Sequence, residues 1–189
     1  RSTLFPYTTL FRSPYRDFVQ VNGAVNRALV ARAAELLAPG RESRVLDLFC
    51  GLGNFTLALA RRAGSVVGVE GDAGLIERAR ANARANGIVN AQFHCADLAV
   101  APSGATWLAG SFTHVLLDPP RAGAASVLPA VAALAPERVL YVSCHPGSLA
   151  RDLGVLVHEH GFALRSAGVI DMFPHTTHVE SLAVLERPT

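Results

Sequence analysis

The run Arg44-Val-Leu-Asp-Leu-Phe-Cys-Gly-Leu-Gly-Asn-Phe-Thr56 passes from apolar to glycine-rich and back to apolar within one short span. Val45, Leu46, Leu48 and Phe49 form too continuous an apolar run for a half-exposed strand, and suit a parallel strand covered on both faces. Cys50-Gly51-Leu52-Gly53 then turns the chain, because glycine adopts backbone angles that other residues resist. Asn54 is placed to cap a helix over about 55–62. A strand, a glycine turn and a helix N-terminus together bring bare backbone close to a ligand. The turn is shorter than the six-residue dinucleotide fingerprint and lacks the Lys of a phosphate loop. A structural turn and a binding turn both fit it. The second apolar run, 65–69, ends in Glu70, roughly 20 residues past the glycines, where an acid can accept both hydroxyls of a ribose. The pair points to a nucleoside-containing ligand; a solvated strand-end carboxylate is the plainer alternative.

Outward from that centre, helices and strands alternate. Helical spacing predicts helices over 24–37, 75–86, 125–134 and 147–160, with Asn22 able to cap the first and Gly87 to end the second. Apolar runs predict strands over 91–95, 112–117, 138–142, 163–170 and 179–185, and a short extended piece over 18–22. The fold class that follows is α/β, a doubly wound, seven-stranded Rossmann-like sheet with right-handed crossovers. Only a loop, 171–178, separates the last two strands, too short for a crossover helix, so the last strand should run antiparallel. Glu180, near its start, then joins Cys50/Gly51, Glu70, Asp97, Asp118, Cys144 and Asp171 on the rim where such sheets bind ligands.

The chain has 189 residues, half of them hydrophobic, enough for one domain with a sizeable core. A formal charge of +2 does not announce a nucleic-acid binder, and no apolar run reaches the ~20 residues of a membrane helix. All 17 basic residues are Arg, a pattern closer to biased coding than to functional choice. Cys50, Cys95 and Cys144 form no CxxC pair, and their odd number favours a reducing, cytoplasmic setting. Residues 1–13 resemble the translation of a sequencing adapter and are expected to be a non-native scar, leaving 14–189 as the folded unit.

Cys144 is the candidate nucleophile. A free thiol is only ~3% ionised at neutral pH. A helix N-terminus near Pro146 and a cationic His145 would each raise that fraction. Glu180 could serve as a general base. A buried strand-end thiol and a surface carboxylate are the alternatives. His175 and His178 have no evident third ligand, so no metal site is expected.

Four stretches carry a family resemblance: Phe18-Val-Gln-Val-Asn22; Asp47-Leu-Phe-Cys-Gly-Leu-Gly-Asn54; Asp118-Pro-Pro-Arg-Ala-Gly123 with Tyr141-Val-Ser-Cys144; and Asp171-Met-Phe-Pro-His-Thr-Thr-His-Val-Glu180. From about Phe18 to Arg187 the chain resembles the catalytic domain of the S-adenosylmethionine-dependent RNA 5-methyluridine methyltransferases. The loops look most like the branch acting on 23S ribosomal RNA, and next like the tRNA branch. The resemblance implies that Cys144 adds to carbon-6 of a uracil and that Glu180 removes the carbon-5 proton after methylation. It implies S-adenosyl-L-methionine as cofactor, with Gln20, Phe49, Asn54, Glu70, Asp97 and Asp118 at family contact positions. RNA is the implied partner of a chain expected to be monomeric and free of membranes.

Two departures stand out. The family pattern has Asn after the nucleophile, where this chain has His145, a larger side chain that titrates near neutrality. The family's N-terminal RNA-binding domain and iron–sulfur domain have no counterpart here, and no spare cysteine pattern could hold a cluster. Cofactor binding with weak or absent activity on ribosomal RNA is therefore expected. The rivals are an inert cofactor- or RNA-binding fragment, an amino-methyltransferase and a dehydrogenase. Arg121 stands where an amino-methyltransferase would place an aromatic, and that chemistry gives Cys144 no task; the reduced glycine motif and the cysteine rim fit a dehydrogenase poorly.

Overall fold

The computed structural model describes residues 23–102, 104–171 and 179–188. The expected extended piece over 18–22, Gln20, the cap at Asn22, the scar over 1–13, and His175 and His178 lie outside them. The elements run α1 (Gly23–Leu37), β1 (Arg44–Leu48), α2 (Asn54–Ala60), β2 (Ser65–Glu70), α3 (Ala73–Ala85), β3 (Ala91–Cys95), β4 (His114–Leu117), α4 (Leu128–Ala133), β5 (Arg138–Ser143), α5 (Pro146–His158), β6 (Ala163–Ile170) and β7 (Glu180–Glu186).

The strands form one seven-stranded sheet in the order β3-β2-β1-β4-β5-β7-β6. β1 to β5 are parallel, and β7 lies antiparallel between β5 and β6. Strand alternation splits the core in two. Leu46, Leu48, Val115, Leu117, Val139, Tyr141, Ala183 and Leu185 face one layer, with Leu128 and Val131 of α4 and Leu149, Leu153 and Leu156 of α5. Val45, Val66, Leu116, Leu140, Val142, Leu182 and Val184 face the other, under α1 and α2. Cys50, Phe93 and Leu57 of α2 extend the second layer to Ile76, Ala79 and Ala83 of α3. Both faces of the central strands are thereby dry, which is why their sequences read as unbroken apolar runs.

Several boundaries moved for local reasons. α3 starts two residues before its expected start because Asp72 caps it, its carboxylate accepting from the Leu75 N–H at 2.9 Å. β4 begins at His114 and not at Phe112; Phe112 is buried with the Arg44 guanidinium 4.3 Å from its ring centroid. α4 is short, with a proline in its first turn and residues 125–127 leading into it as a turn. The order of strands reverses between β1 and β4, and that switch point fixes where the rim opens.

Candidate active site

The loop leaving β1 carries three left-handed residues: Phe49 at φ +65°, Gly51 at +53° and Gly53 at +86°. Phe49 is the informative one, since an aromatic side chain in this region costs about 1–3 kcal/mol of strain, and such strain concentrates at functional sites. Among the described residues, a Cβ built on Gly51 would meet nothing within 4 Å, so they leave the outer face of the loop as open backbone. Glu70 ties the loop to the tip of β2. Its Oε2 accepts from the Gly51 N–H at 3.1 Å, while Oε1 accepts from the N–H groups of Gly71 (2.7 Å) and Asp72 (3.2 Å). Asn82 of α3 donates to the Leu52 carbonyl from below.

Asn54 does not cap α2, contrary to its sequence reading. The left-handed Gly53 occupies the cap position, so Asn54 is already helical and no side-chain cap bond forms. Its amide is paired reciprocally with that of Asn26 on α1, at 3.1 and 3.0 Å. The residue anchors the loop to α1.

Beneath the loop, Asp47 is fully buried. Thr56 of α2 donates its hydroxyl to Oδ2, and Oδ1 has no partner among the described residues. Burial pushes the acid up to about 7, against the pull of the Thr56 bonds and with the help of the nearby Glu70 charge. Asp118, at the end of β4, is held well above the usual carboxylate range by burial, then by Glu180 and Asp47. Glu180, only 4% exposed, is raised by burial. Register brings Glu180 to Cys144. Ser143 of β5 pairs with Ser181 of β7, so the next step along each strand is Cys144 on one and Glu180 on the other. Burial raises the Cys144 thiol, and Glu180 and Asp118 raise it further, opposed by its own backbone hydrogen bond and the Arg121 charge.

That surrounding reverses the expectation of an activated thiolate. Pro146 does open α5, and the His145 side chain is engaged as its cap. Nδ1 accepts from the Ser148 N–H at 3.1 Å, a bond that uses the ring's lone pair, and the Ser148 hydroxyl donates to the His145 carbonyl at 3.0 Å. Asp97 is exposed after β3, where its carboxylate accepts from the Ala99 N–H at 2.9 Å. Asp47, Asp118, Glu180 and Cys144 thus converge at the centre of the rim, with Glu70 joined to them through the loop, while Asp97 stands at its edge.

Comparisons with known proteins relate the chain to methyltransferases. A family model described as a methyltransferase domain matches residues 45–128, and one described as tRNA (uracil-5-)-methyltransferase matches 106–188. The 23S rRNA (uracil(1939)-C(5))-methyltransferase RlmD of Stenotrophomonas maltophilia is 60% identical over 171 residues, 90% of this chain and 38% of that protein. The RlmD of Alkalilimnicola ehrlichii is 61% identical over the same share. Over 90% of its length the chain is similar to RNA uracil-5 methyltransferases. It spans 38% of the length of these curated relatives. Among solved structures, the Pyrococcus abyssi tRNA (uracil-54, C5)-methyltransferase in complex with S-adenosyl-L-homocysteine superposes with a TM-score of 0.77 at 33% identity, covering 90% of this chain and 40% of that one. A precorrin-6y C5,15-methyltransferase from Geobacter metallireducens (TM-score 0.72, 10% identity, 94% of each chain) shares the fold.

Set beside these uracil-5 methyltransferases, the sequence had singled out the rim acids and the cysteine but missed the groups that hold them. Asn26, Thr56, Asn82, Tyr141 and Asp152 lie 9 to 30 residues from the atoms they bind. The only available signal was polarity inside otherwise apolar patterns, as at Asp47 within β1 and Tyr141 within β5.

Proposed function

We propose that this chain transfers a methyl group from S-adenosyl-L-methionine to carbon-5 of a uridine in RNA, 23S ribosomal RNA first, with residues 14–189 as the catalytic unit. The observation that carries the reading is the pairing of β5 with β7, which sets Cys144 and Glu180 side by side on neighbouring strand ends. The donor fits the residues present: the open Gly51 backbone, the strained Phe49, the unpartnered Asp47 oxygen and a cluster of acids suit a cationic, ribose-bearing molecule. Phe49, Glu70, Asp97 and Asp118 would hold it, with Gln20 from the segment before α1 and with Asn54 fixing the loop. When bound, it supplies an electrophilic methyl group on a sulfonium.

The chain's own task is to make an unreactive ring carbon into a nucleophile. The Cys144 sulfur adds to carbon-6 of the uracil, and the electron pair of the 5,6 double bond is delocalised as an enolate onto carbon-5 and the carbon-4 oxygen. Once carbon-5 carries its methyl group, Glu180 takes the carbon-5 proton, the 5,6 double bond re-forms and the thiolate is expelled. The raised affinity of Glu180 for a proton suits a base, since burial leaves the carboxylate poorly solvated. The raised Cys144 thiol must ionise first, and a cation bound among Asp47, Asp118 and Glu180 would lower that barrier.

A short RNA carrying 5-fluorouridine tests the scheme when offered with the donor. Fluorine at carbon-5 cannot leave as a proton does, so a covalent protein–RNA adduct is expected to accumulate. It should be lost in Cys144→Ala. On ordinary uridine, Glu180→Gln should accumulate the same adduct, because the last proton stays in place. An adduct that survives Cys144→Ala refutes the nucleophile; donor binding with no adduct favours an inert fragment. The tRNA-named match over 106–188 makes tRNA the second substrate to offer.

A further inference from the structure

The Asp118-Pro-Pro-Arg-Ala-Gly123 corner is fastened at its far end by a buried network. The Gly123 N–H donates to the Pro120 carbonyl at 2.8 Å, closing the turn. The next residue, Ala124, donates its N–H to Oδ2 of Asp152 at 2.7 Å. The same oxygen accepts the hydroxyl of Tyr141. Oδ1 accepts from Nε of Arg151 at 2.8 Å, and Nη2 of Arg151 reaches back to the Ala122 carbonyl at 2.8 Å. Asp152 and Tyr141 are both 0% exposed. Gly123 has no space for a side chain: a Cβ there would lie 2.4 Å from Arg151 Nη2 and 2.6 Å from Asp152 Oδ2, and its φ of +87° is glycine's.

Three parts of the site meet at this carboxylate. Tyr141 stands three residues before Cys144 on β5, Asp152 lies on α5 just beyond it, and the corner leads back to Asp118. We propose that Asp152 is a positioning residue that locks the Asp118–Gly123 corner against the strand and helix flanking Cys144, holding acid and thiol in one geometry. The proposal rests on the methyl-transfer reading for its catalytic consequence. Asp152 touches no reacting atom. Its hydrogen bonds fix the distance between groups that do, and small misplacements of such groups are costly to rate.

The test compares wild type, Asp152→Asn and Tyr141→Phe in the 189-residue chain. Iodoacetamide alkylation is followed against pH at the Cys144 peptide, with the exposed Cys95 as internal control. Freeing the corner relieves the burial of Cys144 and withdraws Asp118 from it; Arg121 leaves with the corner but is the weakest of these influences, and Glu180 on β7 stays, so the alkylation profile should move to lower pH while that of Cys95 stays. Turnover on RNA should lose up to about 100-fold in kcat with little change in donor KM. If Asp152→Asn fails to fold, Tyr141→Phe, which removes one hydroxyl, should show the same shifts in smaller measure. A folded variant whose Cys144 profile coincides with wild type overturns the proposal. A wild-type chain that forms no RNA adduct defeats the methyl-transfer reading instead, and the alkylation result still decides the role of Asp152.

Discussion

Asp47 joins two demands on one side chain: it is fully buried in a central strand of the sheet, yet one of its oxygens has no partner among the described residues. Its pKa, pushed up to about 7, has a consequence for stability. The folded chain holds this proton more tightly than the unfolded chain does, so the contribution is complete below the ordinary Asp value of about 3.9 and is lost as pH rises through about 7. Asp47→Asn should flatten the stability–pH curve between those limits in urea denaturation run across a pH series. A slope unchanged from wild type would show that the proton sits elsewhere. Cys144 teaches the complementary lesson. Its sequence neighbours, His145 and a helix start, argue for ionisation, whereas the acids that surround it in space argue against. Neighbours along the chain were visible; neighbours across strands were not.

Among the elements, α5 carries the largest share of the site's architecture. Its cap is His145, whose ring nitrogen stands in for the side-chain oxygen usual at that position. His145→Ala should destabilise the chain by about 0.5–2 kcal/mol, and His145→Asn should retain most of that stability because an amide oxygen accepts the same N–H. Thermal and urea unfolding of the two variants side by side decides it; equal losses would mean that the Ser148 hydroxyl bond alone secures the turn. The sequence had marked β3 and β6 to the residue and the other strands to within two; the central parallel strands were legible because strands covered on both faces write themselves as apolar runs. It misassigned Asn54 for a definite reason. Cap residues are read from local pattern, but Gly53 took the cap by its backbone and left Asn54 to a partner 28 residues away.

At the scale of the molecule, one sheet divides two cores, and the acids gather at one end of it. A ligand recognised by that end binds only the folded chain. S-adenosyl-L-homocysteine at 100 times its Kd should therefore add about 2.7 kcal/mol of stability. A rise in Tm that saturates with ligand is the expected reading, and no shift at millimolar ligand would count against the donor site. The doubly wound architecture and the reversed last strand were legible because a loop of this length cannot return a chain to the same end of a sheet. The buried fastening of the Asp118 corner was not, because hydrogen bonds between a strand, a helix and a turn leave no periodic trace.

The wedging of β7 between β5 and β6 has an evolutionary corollary. Cys144 and Glu180 follow directly on the Ser143–Ser181 pair at the end of an antiparallel ladder, so their relative placement is set by strand register. A single inserted residue within β7 would turn the carboxylate away from the thiol at a stroke, whereas length changes outside the ladder leave the partnership intact. Diversification of such a scaffold is thus channelled into its connecting segments, with cysteine and carboxylate carried along as an indivisible unit.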